Sequence, residues 1–143
     1  MRGRTFLLAV TIVALYALIV VGAWVAAGNY GEACGSSASW PLCNGQLLPS
    51  PQFGVVIEYM HRLLAVTSAL LLFGTTFVFW KSNERGSRAR VLLLLSSLLM
   101  VVQIGLGDVV IGAGLEAALV ALHQANALLI FGLTVGAAAA GRG

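Results

Sequence analysis

Four long segments without a charged residue constrain this sequence more than any other feature. They run over residues 6–27, 63–80, 91–107 and 117–141. A helix needs about 20 residues to cross the hydrocarbon core of a bilayer, and each segment meets or approaches that length. Strands of a membrane β-barrel would be about half as long and would alternate in polarity. The sequence therefore predicts four transmembrane helices.

The composition agrees with a membrane protein. The chain has 143 residues, of which 59% are hydrophobic and 9% charged, whereas soluble domains carry about 25% charged residues. We predict one all-α domain over residues 1–143, an integral membrane four-helix bundle with spans at about 6–27, 55–80, 91–110 and 117–140. The first apolar run is longer than the core of a signal peptide, about 7 to 15 residues, so we expect it to be retained.

The basic residues predict the orientation of the bundle, because cytoplasmic loops are enriched in Lys and Arg. Only Arg62 falls on the opposite side from the other seven. Both termini are therefore expected in the cytoplasm, and the positive charge is a topology signal that gives no reason to expect a nucleic-acid partner. The seven residues on the cytoplasmic side are Arg2, Arg4, Lys81, Arg85, Arg88, Arg90 and Arg142.

The first outer loop, residues 28–54, is long enough to suggest a function, since loops beyond about 12 to 15 residues are uncommon. It contains Cys34 and Cys43 in a compartment that permits disulfides. A bridge between them would pin the loop over the helix ends; the alternative is two unpaired thiols. Their spacing is not CxxC, which argues against a thiol-redox role. Trp40 in this loop is a candidate cap for an outer cavity.

Two histidines are predicted to lie at the same depth. His61 lies 20 residues before Lys81, and His123 lies 19 residues before Arg142. At the helical rise of about 1.5 Å per residue, both are roughly 27–30 Å from the cytoplasmic charges. Spans two and four are parallel, so the two imidazoles can face each other near the outer face.

Several roles for this pair are open from the residues alone. A haem iron takes axial ligands from opposite sides. Zinc needs three or four protein ligands, and no third histidine is present. A proton relay through Glu58, His61 and Asp108 is an alternative, because ionisable groups in membranes are usually functional. Simple hydrogen bonding between helices is another.

Glu58 and Arg62 are expected on the same helix face as His61, since positions i, i+3 and i+4 are neighbours. Glu58 lies one turn from His61, where a proton acceptor or a charge that stabilises a cation would be placed. Arg62 can pair with Glu58 or reach a carboxylate such as a haem propionate. An interfacial ion pair that anchors the helix end is the alternative.

Other polar and small residues in spans three and four suggest helix packing. Gln103, Gln124 and Asn126 are expected to form hydrogen bonds between helices. Gly132 and Gly136 form a GxxxG pattern, which permits close helix contacts.

Three motifs in order along the chain resemble those of the haem A synthase family. Residues 40–46 (WPLCNGQ) resemble that family's first outer loop, and residues 58–62 (EYMHR) its motif at the top of helix two. Residues 103–107 (QIGLG) followed by 120–123 (VALH) resemble its third and fourth helices. Asp108 departs from the pattern, because the family favours glycine there.

The resemblance implies an enzyme that oxidises the ring-D methyl of haem O to a formyl group, giving haem A for terminal oxidases. It implies His61 and His123 as axial ligands of haem iron and Glu58 as the catalytic acid–base candidate; Arg62, from its place on the same helix face, is the candidate haem-binding residue. It also implies a Cys34–Cys43 disulfide, haem b as cofactor and a prokaryotic plasma-membrane location.

The family usually has eight spans in two halves, one for a haem b cofactor and one for the substrate haem. Because this chain offers a single histidine pair, we expect a homo-oligomer within the lipid bilayer, with haem O synthase as a further possible partner. The alternatives are a bis-histidine haem b electron-transfer protein and a quinone-linked thiol oxidase, the latter disfavoured by the absence of CxxC.

Overall fold

The computed structural model describes residues 2–35, 40–81 and 88–140. These form four helices, α1 (Arg2–Ala27), α2 (Phe53–Lys81), α3 (Arg88–Gly112) and α4 (Ala117–Ala140). All four are long and apolar enough to span a membrane. The all-α fold is therefore confirmed; α1, α2 and α3 extend slightly beyond the predicted spans, and α4 has the predicted bounds.

The helices form a ring in which each one packs against two neighbours. The most extensive contacts lie within the α1–α2 and α3–α4 hairpins, and the α2–α3 and α1–α4 contacts close the ring. Consequently α2 and α4 are diagonal partners that face each other across the bundle axis. We call the end that carries the loop between α1 and α2 the loop end, and the opposite one the basic end.

The half of the bundle towards the basic end is closed by a packed core. Leu72, Leu93 and Ile130 are almost fully buried there. Hydroxyl groups link neighbouring helices at the same level: Thr11 and Thr75 are hydrogen-bonded at 2.8 Å, and Thr76 and Ser97 at 2.8 Å. Small hydroxyl residues allow helix backbones to approach closely, and their bonds hold helices together where lipid offers no partner.

The basic end is fixed by arginine contacts. Arg90 on α3 donates hydrogen bonds to the carbonyls of Phe79 and Trp80, satisfying groups that the end of α2 leaves without helical partners. The guanidinium of Arg4 lies over the ring of Phe79, 5.8 Å from its centre. Two residues that entered the orientation prediction, Arg85 and Arg142, lie outside the described residues.

The GxxxG pattern of α4 makes no close helix contact within the described parts of this chain. A Cβ added at Gly136 would lie 3.5 Å from the Leu92 side chain, an ordinary contact, and one added at Gly132 would meet nothing within 4 Å. The close helix contact that the sequence led us to expect at Gly132 and Gly136 is therefore not seen between the described helices.

A short turn joins α3 to α4 and begins the last helix with a cap. Gly114 and Leu115 both have positive φ angles, 64° and 61°, which reverse the chain within a few residues. The Glu116 carboxylate then accepts hydrogen bonds from the amides of Ala118 and Leu119, at 3.3 and 3.2 Å. Such a cap satisfies amides that the first helical turn leaves unpaired.

The Thr11–Thr75 bond should contribute measurably to the stability of the bundle. We expect Thr11→Val or Thr75→Val to lower the free energy of unfolding by about 1 kcal/mol, since each removes the hydroxyl–hydroxyl bond between α1 and α2. Thr67→Val is the control, because Thr67 is exposed and bonds only within its own helix. Unfolding in detergent measures the effect; an equal loss for Thr67→Val would contradict this role.

Candidate functional site

A cavity of about 760 Å³ opens between the four helices in the half towards the loop end. This volume lies within the range of about 300–1,000 Å³ typical of small-molecule sites. Its floor is the top of the closed core, with one residue from each helix: Leu15, Ala69, Met100 and Ile130. Its loop-end lining includes Trp40, as the sequence suggested.

The structure brings His61 and His123 together in this cavity. His61 is on α2 and His123 on α4, so the two imidazoles line the cavity from diagonally opposed helices. The Nδ1 atom of each ring is buried and has no hydrogen-bond partner within residues 2–35, 40–81 and 88–140. A buried polar atom without a partner is costly, so each ring keeps one nitrogen that these parts of the chain leave unpaired.

A glycine lies against each imidazole, a feature that the sequence analysis missed. A Cβ at Gly22 on α1 would be 2.8 Å from Cε1 of His61, and a Cβ at Gly107 on α3 would be 3.4 Å from Cε1 of His123. Each ring therefore rests on the backbone of the other helix in its own hairpin. The matching positions of the glycines, each five residues before the end of its helix, are the signal that could have revealed them.

Two amides set the position of α4 against α3 at the level of His123. Gln103 donates through Nε2 to the carbonyl of His123 at 3.0 Å. Asn126 donates to Oε1 of Gln103 at 2.7 Å and to the carbonyl of Leu99 at 3.1 Å. These bonds are the interhelical contacts expected for Gln103 and Asn126. Gln124 lines the cavity.

Glu58 and Arg62 form a buried ion pair at the wall of the cavity. The two side chains are 2.7 Å apart and each is about 3% exposed. Glu58 also accepts a hydrogen bond from the Cys34 amide at 2.6 Å. Arg62 donates to the carbonyls of Leu42 and Gly35 at 2.9 and 3.1 Å. The pair thus holds the outer loop next to each of its two cysteines.

The outer loop contains a Cys34–Cys43 disulfide with an S–S distance of 1.97 Å. Both cysteines are fully buried against Val55 and Tyr59 of α2. The Tyr59 hydroxyl donates to the carbonyl of Leu47 at 2.9 Å, further along the loop. The described part of the loop is therefore packed on α2, and its Trp40 lines the loop end of the cavity.

Asp108 lies at the cavity wall on α3 and is exposed. Across the described ranges, no group of three His, Cys, Asp or Glu side chains converges to hold a metal ion. The arrangement offers two opposed nitrogen donors. It suits a metal that brings its other ligands within a planar group of its own.

Comparisons with known proteins agree with this geometry. The model of the cytochrome oxidase assembly protein family, COX15-CtaA, matches residues 1–135. A heme A synthase of Bacillus licheniformis is 30% identical over 122 residues, which are 85% of this chain and 40% of that protein. A heme A synthase of Symbiobacterium thermophilum is 33% identical over 130 residues, 90% of this chain and 41% of its own length.

The chain spans about two fifths of the length of these curated relatives. No solved structure matches it significantly. The family model covers the first three helices and α4 as far as residue 135, including both histidines and the outer loop. The chain therefore belongs to the COX15-CtaA family of cytochrome oxidase assembly proteins.

Proposed function

We propose that the chain is a haem A synthase that oxidises the ring-D methyl of haem O to a formyl group. The observation that carries the proposal is the pair of opposed imidazoles in one cavity, with a carboxylate, Glu58, on the same wall. Relatives named heme A synthase support it, since they match this bundle over nearly its whole length.

The residues present fit a haem. The two imidazoles line the cavity from diagonal helices and would hold the iron between them, and the floor beneath them is apolar, as suits a macrocycle. Gly22 and Gly107 leave space for the rings that a larger side chain would fill. When bound, haem would supply an iron centre that transfers electrons.

Residues of the chain itself would hold the iron, cover the site, accept protons and balance charge. His61 and His123 would hold the iron, and the loop with Trp40 would cover the site. Conversion of a methyl to a formyl group with water as oxygen donor releases four protons and four electrons; an external electron acceptor must take up the electrons, and Glu58 is the carboxylate on the histidine-bearing face of α2 that would accept protons. Arg62 balances the charge of Glu58 in an apolar setting and is the candidate partner of a haem propionate.

A reaction with a haem b cofactor and a haem O substrate needs two such sites. We therefore propose that the bundle works as a homo-oligomer in the prokaryotic plasma membrane, with both termini in the cytoplasm. In this arrangement the loop end faces outwards, and a haem O synthase delivers the substrate.

A bis-histidine haem b protein that only transfers electrons is the second candidate. One specific observation favours it: Glu58 is occupied by Arg62 and by the Cys34 amide. These contacts give the carboxylate a sufficient structural role without any catalysis.

The histidine pair should be required for haem binding. We expect His61→Ala and His123→Ala each to reduce the haem content of the purified protein about tenfold or more, because each removes an axial ligand. Pyridine haemochrome analysis measures haem per protein. Gln124→Ala is the control, since it changes the same cavity without removing an imidazole. Full haem content in both histidine variants would contradict the assignment.

Matched changes to the ion pair separate catalysis from structure. Glu58→Gln and Arg62→Gln each leave one buried charge without its partner, so both should destabilise the loop to a similar extent. If Glu58 accepts protons, Glu58→Gln should retain haem but form about 100-fold less haem A. Arg62→Gln should form more haem A than Glu58→Gln, because it keeps the carboxylate.

The measurement is extraction of haems from cells that also express a haem O synthase. Equal haem A in the two variants would assign Glu58 a structural role. Absence of haem A with the folded wild-type chain would exclude synthase activity for it and leave the electron-transfer protein.

A further inference from the structure

The two hairpins present the same Gly–His pair, one in each. Gly22 lies five residues before the end of α1 and meets His61 of α2; Gly107 lies five residues before the end of α3 and meets His123 of α4. The contact at Gly22 is tighter than the contact at Gly107, so the two imidazole rings differ in their freedom to move.

At Gly22 the nearest atoms are all from the imidazole of His61. An added Cβ would lie 2.8 Å from Cε1, 3.3 Å from Nδ1 and 3.6 Å from Nε2. A separation below 3.0 Å is essentially never observed for a real Cβ, so a side chain at residue 22 would require the ring or α1 to shift. The His61 ring therefore lies directly against the backbone of α1.

At Gly107 the contact is looser and involves one atom. The Cβ would lie 3.4 Å from Cε1 of His123, and no other atom comes within 4 Å. The backbone of His123 is held by Gln103, so the available movement is confined to the imidazole ring.

We propose that Gly22 is a positioning residue that fixes the imidazole of His61 where it would hold the haem iron, whereas the imidazole of His123 keeps room to shift. This inference rests on the proposed haem site and involves no covalent or electron-transfer step. The helix carrying Gly22 cannot move away freely, because α1 is tied to α2 by Thr11 and Thr75.

The test compares three glycine-to-alanine variants of the full chain. Gly22→Ala should weaken the low-spin ferric signal of a bis-imidazole haem roughly tenfold, because displacement of a ligand by part of an ångström is sufficient for a large loss. Gly107→Ala should retain the signal within about twofold, since a 3.4 Å contact is relieved by a small shift. Gly74→Ala, which meets nothing within 4 Å, is the control.

A double-variant cycle asks whether Gly22 acts through the imidazole of His61. In a His61→Gly chain supplied with free imidazole, the ligand is no longer tethered to α2, so Gly22→Ala should have no further effect on the spectrum. If free imidazole does not restore the signal, thermal unfolding is compared instead. Without the ring, Gly22→Ala should not destabilise the chain.

Three results would overturn the inference: an unchanged signal in Gly22→Ala, an equal loss in Gly107→Ala, or a loss of signal or folding from Gly22→Ala that persists in the His61→Gly chain. Each leaves the proposed function intact as long as the wild-type protein binds haem. A wild-type protein that binds no haem would instead reject the proposed function.

Discussion

The buried ion pair between Glu58 and Arg62 is the interaction on which the outer half of the structure depends. Charges within a membrane helix are tolerated when each is paired and its remaining polar atoms are satisfied. Here the loop supplies the rest, through the Cys34 amide and the carbonyls of Gly35 and Leu42. The free-energy cost of burying the pair is offset only when the loop is in place. The ion pair and the folded loop therefore form together. The Cys34–Cys43 disulfide closes the same loop.

The bundle is closed towards the basic end and open towards the loop end, and different kinds of residue hold the helices together in the two halves. Hydroxyl side chains such as Thr11 and Thr75 join helices in the closed half. In the open half, the amides of Gln103 and Asn126 hold α3 to α4, while Gly22 and Gly107 make space for rings. A cavity of about 760 Å³ is therefore compatible with a stable bundle, since the helices are fixed on both sides of it.

The sequence predicts the helices and the depth of the histidines, because bilayer thickness sets helix length and the rise per residue is constant. It also predicts the Glu58–Arg62 pair, which follows from spacing on one helix. It does not predict what Gly22 touches or which carbonyls Arg62 reaches. These depend on the rotation of each helix about its axis, and lipid-facing and core-facing surfaces are equally apolar, so no periodic pattern marks the inner face.

Satisfaction of polar groups separates structural from functional residues in this cavity. Glu58, Arg62 and Gln103 have partners supplied by the chain itself. The buried Nδ1 atoms of His61 and His123 have none among the described residues. An unsatisfied buried polar group costs about 1–3 kcal/mol, so a ligand that takes up a nitrogen of either imidazole would stabilise the protein. The unpaired imidazole nitrogens therefore indicate where a ligand binds in this cavity. The Glu58 carboxylate already has partners within the protein, so a kinetic test is needed before a catalytic role is assigned to it.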